Sequence, residues 1–319
     1  MIFNIANPFS LKARGVVGMN KRNIDYIARN NPRRLYPIVD DKLKTKLQAE
    51  EFQIPSPKLL GVIECQKHVR QLPDFLREIG VGFVIKPARG SGGKGILIIS
   101  HQEDGKFFKT SGKEVSDDEI QKHGSNILSG LYSLGGTPDV GVLEELVEFS
   151  DIFDGFTYEG VPDVRIICYK GYPAFAMTRL STEVSDGKAN LHQGAVGVGL
   201  DIATGKALRA VQFDKAVTHH PDTDTDLSEL QVSNWSEIIE LASRCYEMSQ
   251  LGYLGVDVIL DKHRGPMIIE LNARPGLAIQ IAHGFGMGKR IDRIEELYTP
   301  RHDYKERAEI AMKELAGIE

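Results

Sequence analysis

The tightest constraint on the fold lies between residues 254 and 272. Two apolar runs, LGVDVIL and MIIELN, are joined by the polar segment DKHRGP, the pattern of a β-hairpin. Placing the turn midway between His263 and Arg264 sets Asp257 opposite Glu270 and Gly255 opposite Asn272. Side chains alternate with period two, so Glu270 and Asn272 share a face. Asp257 and Glu270 would then have Cβ atoms about 4.5–5.5 Å apart. Two opposed carboxylates destabilise a hairpin unless a cation sits between them. An Asp/Glu/Asn oxygen set suits Mg²⁺, which takes few protein ligands. A solvated acidic face is the alternative, and a one-residue slip in register would remove the argument. Arg274 follows the strand closely. It could grip a developing oxyanion or a substrate carboxylate, or be a surface arginine.

Three further hairpins are legible. Val81–Ile85 and Ile96–Ile99 flank a glycine-rich loop. Val164–Tyr169 and Pro173–Leu180 flank Lys170-Gly171, and residues 194–213 turn at Ala203-Thr204-Gly205. Single strands are expected at Leu59–Ile63 and Val142–Val147. Helices are expected at Lys42–Phe52, at 68–79 with Pro73 in its first turn, at 235–250 on an apolar stripe, and at 303–316. Residues 1–40 are basic and aperiodic, and Pro32, Arg33, Arg34 and Pro37 suggest an extended lead segment. Hairpins with intervening helices, rather than regular βαβ alternation, indicate an α+β fold.

The glycine loop, Gly90-Ser91-Gly92-Gly93-Lys94-Gly95, formally matches GxGxxG. A dinucleotide fingerprint needs a helix next, and the β-rich ILIIS follows instead. The GxxxxGK[ST] pattern fails because Gly95 follows Lys94. No HRD or DFG accompanies a kinase-type loop. Four glycines in six residues, at about 0.5–1 kcal/mol each, are costly for a mere turn. Their backbone N–H groups suit phosphate oxygens, and Lys86, ending the preceding strand, adds a point charge.

Composition narrows the class. The 319 residues carry 39 Lys+Arg and 44 Asp+Glu, a formal charge of −5 that argues against a general nucleic-acid binder. Hydrophobics at 41 % allow a sizeable core. No run approaches the length of a membrane span, and the N-terminal residues lack a signal-peptide core. Cys65, Cys168 and Cys245 form no CxxC pair, which disfavours disulfides and zinc and favours a cytoplasmic setting. His192 reads better as a loop histidine than as a proton carrier. His219-His220 with PDTDTD reads as a solvated turn, because it lacks the EF-hand glycine and terminal glutamate.

Taken together, several segments resemble the ATP-grasp superfamily, and most closely its α-L-glutamate ligase-like (RimK-like) branch. They are Asp41-Lys42-Leu43, Phe83-Val84-Ile85-Lys86, Glu144-Glu145-Leu146-Val147, Asp163-Val164-Arg165, Asn190-Leu191-His192, Gly255-Val256-Asp257, and Glu270-Leu271-Asn272-Ala273-Arg274-Pro275-Gly276. Their order matches over roughly residues 40–285. The resemblance implies an α+β ATP-grasp fold, two lobes clasping ATP. A short lead segment (1–40) would precede a small lobe with glycine loop and hinge (41–147) and a large lobe with the metal site and C-terminal helix (148–319).

The resemblance also implies roles. Lys42, Lys86, Gly92 and Gly93 would meet the nucleotide phosphates. Glu144, Glu145, Leu146 and Val147 would form the adenine-facing hinge, with Asp163 near the ribose and Arg165 beside it. Arg179, Lys188 and Asn190 would approach the γ-phosphate, and Arg274 a tetrahedral oxyanion. Asp257, Glu270 and Asn272 would hold Mg²⁺ (or Mn²⁺).

The implied activity is an ATP-dependent carboxylate–amine ligase acting through an acyl phosphate, with glutamate or another amino acid as one candidate group added. Its substrates would be small-molecule or peptide carboxylates and amines. A small-molecule kinase and a non-catalytic nucleotide-binding module are the alternatives. The family usually carries a preceding domain that helps bind substrate, and about 40 residues are too few for one. Substrate recognition is therefore expected from the 181–193 loop, from residues 148–162, or from another chain, in a homodimer or with a dedicated partner.

Overall fold

The computed structural model describes residues 7–90 and 92–319. The start of the lead segment, residues 1–6, and Ser91 of the glycine loop lie outside the described residues. The chain forms two compact units. One is Asp40–Glu148. The other joins Phe149–Glu319 to the segment ending at Val39.

The smaller unit is built on a four-stranded antiparallel sheet. Its strands are β1 (Leu59–Ile63), β2 (Phe83–Pro87), β3 (Leu97–Ile99) and, later in the chain, Gly141–Glu145, in the order β1, Gly141–Glu145, β2, β3. Three short strands, β4 (His101–Glu103), β5 (Lys106–Phe108) and β6 (Glu114–Val115), form a second sheet, so Gly141–Glu145 is β7. The 101–128 region, which also holds a helix at Asp117–Leu128, has no counterpart in the sequence reading. Phe83, Ile85, Ile99, Leu143, Ile120 and Ile127 close the core between sheet and helices.

The helix predicted at 68–79 begins earlier, at Gln66, which puts Pro73 in its interior rather than its first turn. Pro73 is buried with Val69, Leu72 and Leu76, so the packing of that stripe offsets the missing backbone donor.

The larger unit is built on a seven-stranded sheet. Its strands are β8 (Asp163–Tyr169), β9 (Tyr172–Leu180), β10 (Val196–Leu200), β11 (Ala207–Gln212), β12 (Lys215–Val217), β13 (Tyr253–Asp261) and β14 (Gly265–Asn272). They run in the order β12-β11-β10-β9-β8-β13-β14, and every described neighbour pair is antiparallel. The helix Trp235–Ser249 buries Ile238, Ile239, Ala242, Cys245 and Met248. Cys168 and Cys245 are core thiols, as expected of apolar positions, and Cys65 is exposed. No helix among the described residues is long and apolar enough to cross a membrane.

The lead segment is helical, contrary to the extended chain expected. It contains helices at Pro8–Ala13 and Met19–Lys21 and a π-helical turn at Arg22–Ile27. Isolated short helices are marginal, so packing decides their fate. Here Tyr26 and Ile27 are buried, and Tyr26 stacks on Tyr253 with ring centroids 5.9 Å apart. The buried Asn31 side chain bonds to the sheet like an extra strand. It accepts from Tyr253 N at 2.8 Å and donates to Tyr253 O at 2.7 Å and Ala273 O at 2.9 Å.

Candidate functional site

In the smaller unit the loop after β2 is the centre of interest. Gly92, Gly93 and Gly95 have φ of +64°, +73° and +75°. A Cβ at Gly92 or Gly93 would meet nothing within 4 Å, so glycine there answers a backbone requirement and not a packing one. Lys42 enters this loop twice. Its N–H donates to Ala88 O at 2.8 Å, and its Nζ donates to Gly90 O at 2.9 Å. Asp41 caps the helix Lys42–Glu51 through Leu43 N and Lys44 N, which fixes where the Lys42 side chain starts.

Lys86 lies on β2 beside β7, where Val84 pairs with Glu144 and Lys86 with Val142. The Glu144 carboxylate is buried between two ammonium groups, Lys86 at 2.7 Å and Lys46 at 3.0 Å. Burial works to raise the Glu144 pKa, but Lys86 and Lys46 outweigh it and hold the group below the usual carboxylate range. Burial lowers the Lys46 pKa against the pull of Glu144. Lys46 also donates to Pro57 O.

Lys46 was missed at the level of sequence. The helix Lys42–Glu51 fits its apolar positions poorly for this reason. Leu47 is 50 % exposed, while Thr45, Lys46 and Ala49 are buried. A lysine on the inner face of an ill-fitting amphipathic helix was the available signal. Glu145 is held by Lys58, donating N–H to its carbonyl and accepting from Lys58 N through Oε1. Leu146 N donates to Gly82 O. Glu148 ends the unit.

In the larger unit four charged residues form one buried network, placed by strand register. Asp163 pairs with Arg179 across β8 and β9, and Arg165 pairs with Asp257 across β8 and β13. Arg165 grips Asp257 through Nε and Nη2, donating to Oδ1 at 2.7 Å and Oδ2 at 2.5 Å. Arg179 bonds both oxygens of Asp163 and reaches Asp257 at 2.9 Å. Burial opposes the charge on Asp257, but Arg165 and Arg179 lower its pKa. Burial likewise opposes the two guanidinium charges, and the aspartates outweigh it, so both arginine pKa values are raised.

The β13–β14 register places Asp257 opposite Glu270 and Gly255 opposite Asn272, as the sequence predicts. The route to it differs. Asp261 pairs with Gly265, so the turn centres on His263, and a bulge at Ile269 shifts the register back before Glu270. Asp261 Oδ1 shapes the turn by accepting from His263 N and Arg264 N. Gly255 is needed for close approach, since a Cβ there would lie 2.8 Å from Pro275 Cβ.

Arg165, Asp257 and Glu270 thus occupy one cross-strand row, and the cation that compensates Asp257 in this structure is guanidinium. Asn272 Oδ1 accepts from Arg274 N at 2.8 Å, and the Arg274 guanidinium lies 5.0 Å over the Tyr36 ring. Oxygen donors of this kind fit a hard cation. Among the described residues no cluster of three or more His, Cys, Asp or Glu is placed to hold a metal.

The remaining predicted residues lie in loops. Asn190 caps the short helical turn Leu191–Gln193 by accepting from His192 N, and Lys188 pairs with Asp186 at 2.8 Å on the surface. His220 and Asp222 are tied into loop hydrogen bonds with Ser181 O and Glu183 N.

A family model described as "Sugar-transfer associated ATP-grasp" matches residues 21–296. No curated protein sequence matches the chain. Among solved structures, an ATP-grasp ligase PsnB in complex with a minimal precursor is 14 % identical, with 84 % of this chain and 62 % of that one covered and a TM-score of 0.46. A RimK-domain ATP-grasp protein from Sphaerobacter thermophilus is 13 % identical (82 % and 70 % covered, TM-score 0.45). A D-alanine–D-alanine ligase from Bacillus anthracis is 16 % identical (88 % and 70 % covered, TM-score 0.45). The chain spans about three fifths of the length of PsnB.

Proposed function

The chain belongs to the sugar-transfer associated ATP-grasp family, and from that premise we propose that it is an ATP-dependent carboxylate–amine ligase. The observation that carries the reading is that the loop following Lys86 on β2 is held by Lys42 through Gly90 O, while Glu144 offsets only one of the two ammonium groups, Lys86 and Lys46, beside it. Two lysines and one carboxylate leave a surplus positive charge where phosphate oxygens would be stabilised. Lys42, Lys86 and the N–H groups of Gly92 and Gly93 meet the nucleotide phosphates. Within the hinge formed by Glu144, Glu145, Leu146 and Val147, the backbone of Glu145 and Val147 reads the adenine edge.

In the larger unit, Arg179, anchored by Asp163 and Asp257, acts on the γ-phosphate side with Lys188 and Asn190. Glu270 and Asn272, with Asp257, are the residues that would hold Mg²⁺ or Mn²⁺. The ion would supply neutralisation of phosphate charge. A substrate carboxylate oxygen attacks the γ-phosphorus, the bond to the bridging oxygen breaks, and ADP leaves. The amine nitrogen then attacks the acyl carbon, inorganic phosphate leaves, and the nitrogen loses a proton. Arg274 stabilises the tetrahedral oxyanion between these events.

The test is ATP consumption with Mg²⁺ across a panel of amino acids, acidic peptides and small carboxylates, each read for ADP, free phosphate and product mass. ADP, free phosphate and a product lighter by one water than its two substrates is the expected result. A product that retains the phosphoryl group would instead make the enzyme a kinase.

A further inference from the structure

The lead segment and the loop after β14 line an open cavity of about 700 Å³ within the larger unit. Three of its nine lining residues are arginines, Arg22, Arg33 and Arg274, and none is acidic. Asn23, Asn31 and Tyr36 complete its polar wall.

The construction is specific. The Asn31 side chain clamps the lead segment to Tyr253 and Ala273, which fixes one wall against the ends of β13 and β14. The π-helical turn Arg22–Ile27 brings Arg22 Nη1 to Pro275 O at 3.1 Å. π-Helical turns are uncommon and recur at functional sites. Among the described residues the other acceptor of Arg22 is Asn23 Oδ1, at 3.0 and 2.9 Å, so both acceptors are neutral. Arg33 is exposed on the 3-10 turn Arg33–Leu35. Arg274 is held over Tyr36, and its backbone is tied to Asn272, so the cavity abuts the end of the hairpin that carries Glu270.

Guanidinium forks match the two oxygens of a carboxylate or phosphate. A cavity of this volume also has room for a small molecule beyond the anion itself. We propose that this cavity is an oxyanion site, built jointly by the lead segment and the Arg274 loop, that takes the carboxylate- or phosphate-bearing end of the enzyme's organic substrate. The assignment of that ligand as substrate rests on the ligase reading. The binding of an oxyanion does not. The lead segment therefore supplies substrate recognition that was expected from the 181–193 loop, from residues 148–162, or from a partner chain.

The experiment is calorimetric titration of the full chain with glutarate and, separately, with pyrophosphate, with excess ADP present to occupy the nucleotide site. At least one probe is expected to bind, with affinity falling about tenfold in Arg33→Gln, an exposed change that leaves the melting temperature in place. Arg22→Gln is expected to weaken the same probe. Glutarate alone binding assigns a carboxylate, and pyrophosphate alone a phosphate. If neither probe binds below about 10 mM, or if both variants keep wild-type affinity within about twofold, the site is wrong. Oxyanion binding lost in Arg33→Gln, together with no ATP turnover across the substrate panel, would overturn the ligase reading and leave the site standing.

Discussion

Each unit buries a carboxylate between two cations, and the two solutions differ in kind. In the smaller unit Glu144 lies between Lys46 and Lys86. In the larger, Asp257 lies between Arg165 and Arg179, and a second carboxylate, Asp163, completes the set. Two guanidiniums and two carboxylates balance. Two ammoniums and one carboxylate leave a surplus positive charge. Burial lowers the Lys46 pKa, so lysine holds its charge there less firmly than arginine, which stays protonated and keeps its fork geometry. The balanced set fixes its own side-chain positions, which is what holds Arg179 and Asp257 in place for the roles proposed above. The unbalanced one reads as a site prepared for an incoming anion.

Four measurements test that contrast. The largest effect is expected from Asp257→Asn. It leaves two buried guanidiniums against one carboxylate and should cost about 3–5 kcal/mol by urea unfolding. A loss under about 1 kcal/mol would mean that the network does not hold these side chains as inferred. Lys86→Met comes next. It should lower ATP turnover by about 10²-fold, in the range of a lost charge-stabilising donor, while the melting temperature barely moves, because Lys46 remains to balance Glu144. Fold and activity lost together would make Lys86 structural.

Glu144→Gln should cost about 1–3 kcal/mol, less than the aspartate change, because Lys46 can deprotonate where an arginine cannot. A cost equal to that of Asp257→Asn would erase the difference between the units. The smallest effect is on pH dependence. The Lys46 pKa is lowered in the folded chain, so the unfolded chain binds that proton more tightly, and stability rises with pH through the window below the ordinary lysine value. Glu144 acts at the other end, with stability lost as pH falls through its depressed value. Hydrogen exchange followed by peptide should show the alkaline gain in residues 40–148 and not in the β8–β9–β13 region. Lys46→Met should remove it.

Much of the site was legible because strand alternation and hairpin pairing are short-range. The opposition of Asp257 and Glu270 needed only two strands and a turn, and it holds although the turn sits elsewhere, because the bulge at Ile269 compensates. The partners of Asp257 were not legible. Arg165 and Arg179 are 92 and 78 residues away in the chain, and only the order of β9, β8 and β13 brings them to the same carboxylate. The helices of the lead segment were not legible for a related reason. They show little periodicity because few of their residues are buried, and Tyr26 and Asn31 gain their partners from β13.

By itself the sequence determined the α+β class, the glycine loop after Lys86, the four hairpins and the motifs that mark the family. These depend on local spacing, backbone permissiveness at glycine and the period-two alternation of strands. Only the tertiary structure decided which charges meet. Burial makes an uncompensated charge costly, so the positions of Lys46, Arg165 and Arg179 are set by the carboxylates they must reach across strands and helices distant in sequence. The same holds for the arginine-lined cavity. It exists because the Asn31 amide fastens a segment from one end of the chain to the backbone of a strand more than two hundred residues on.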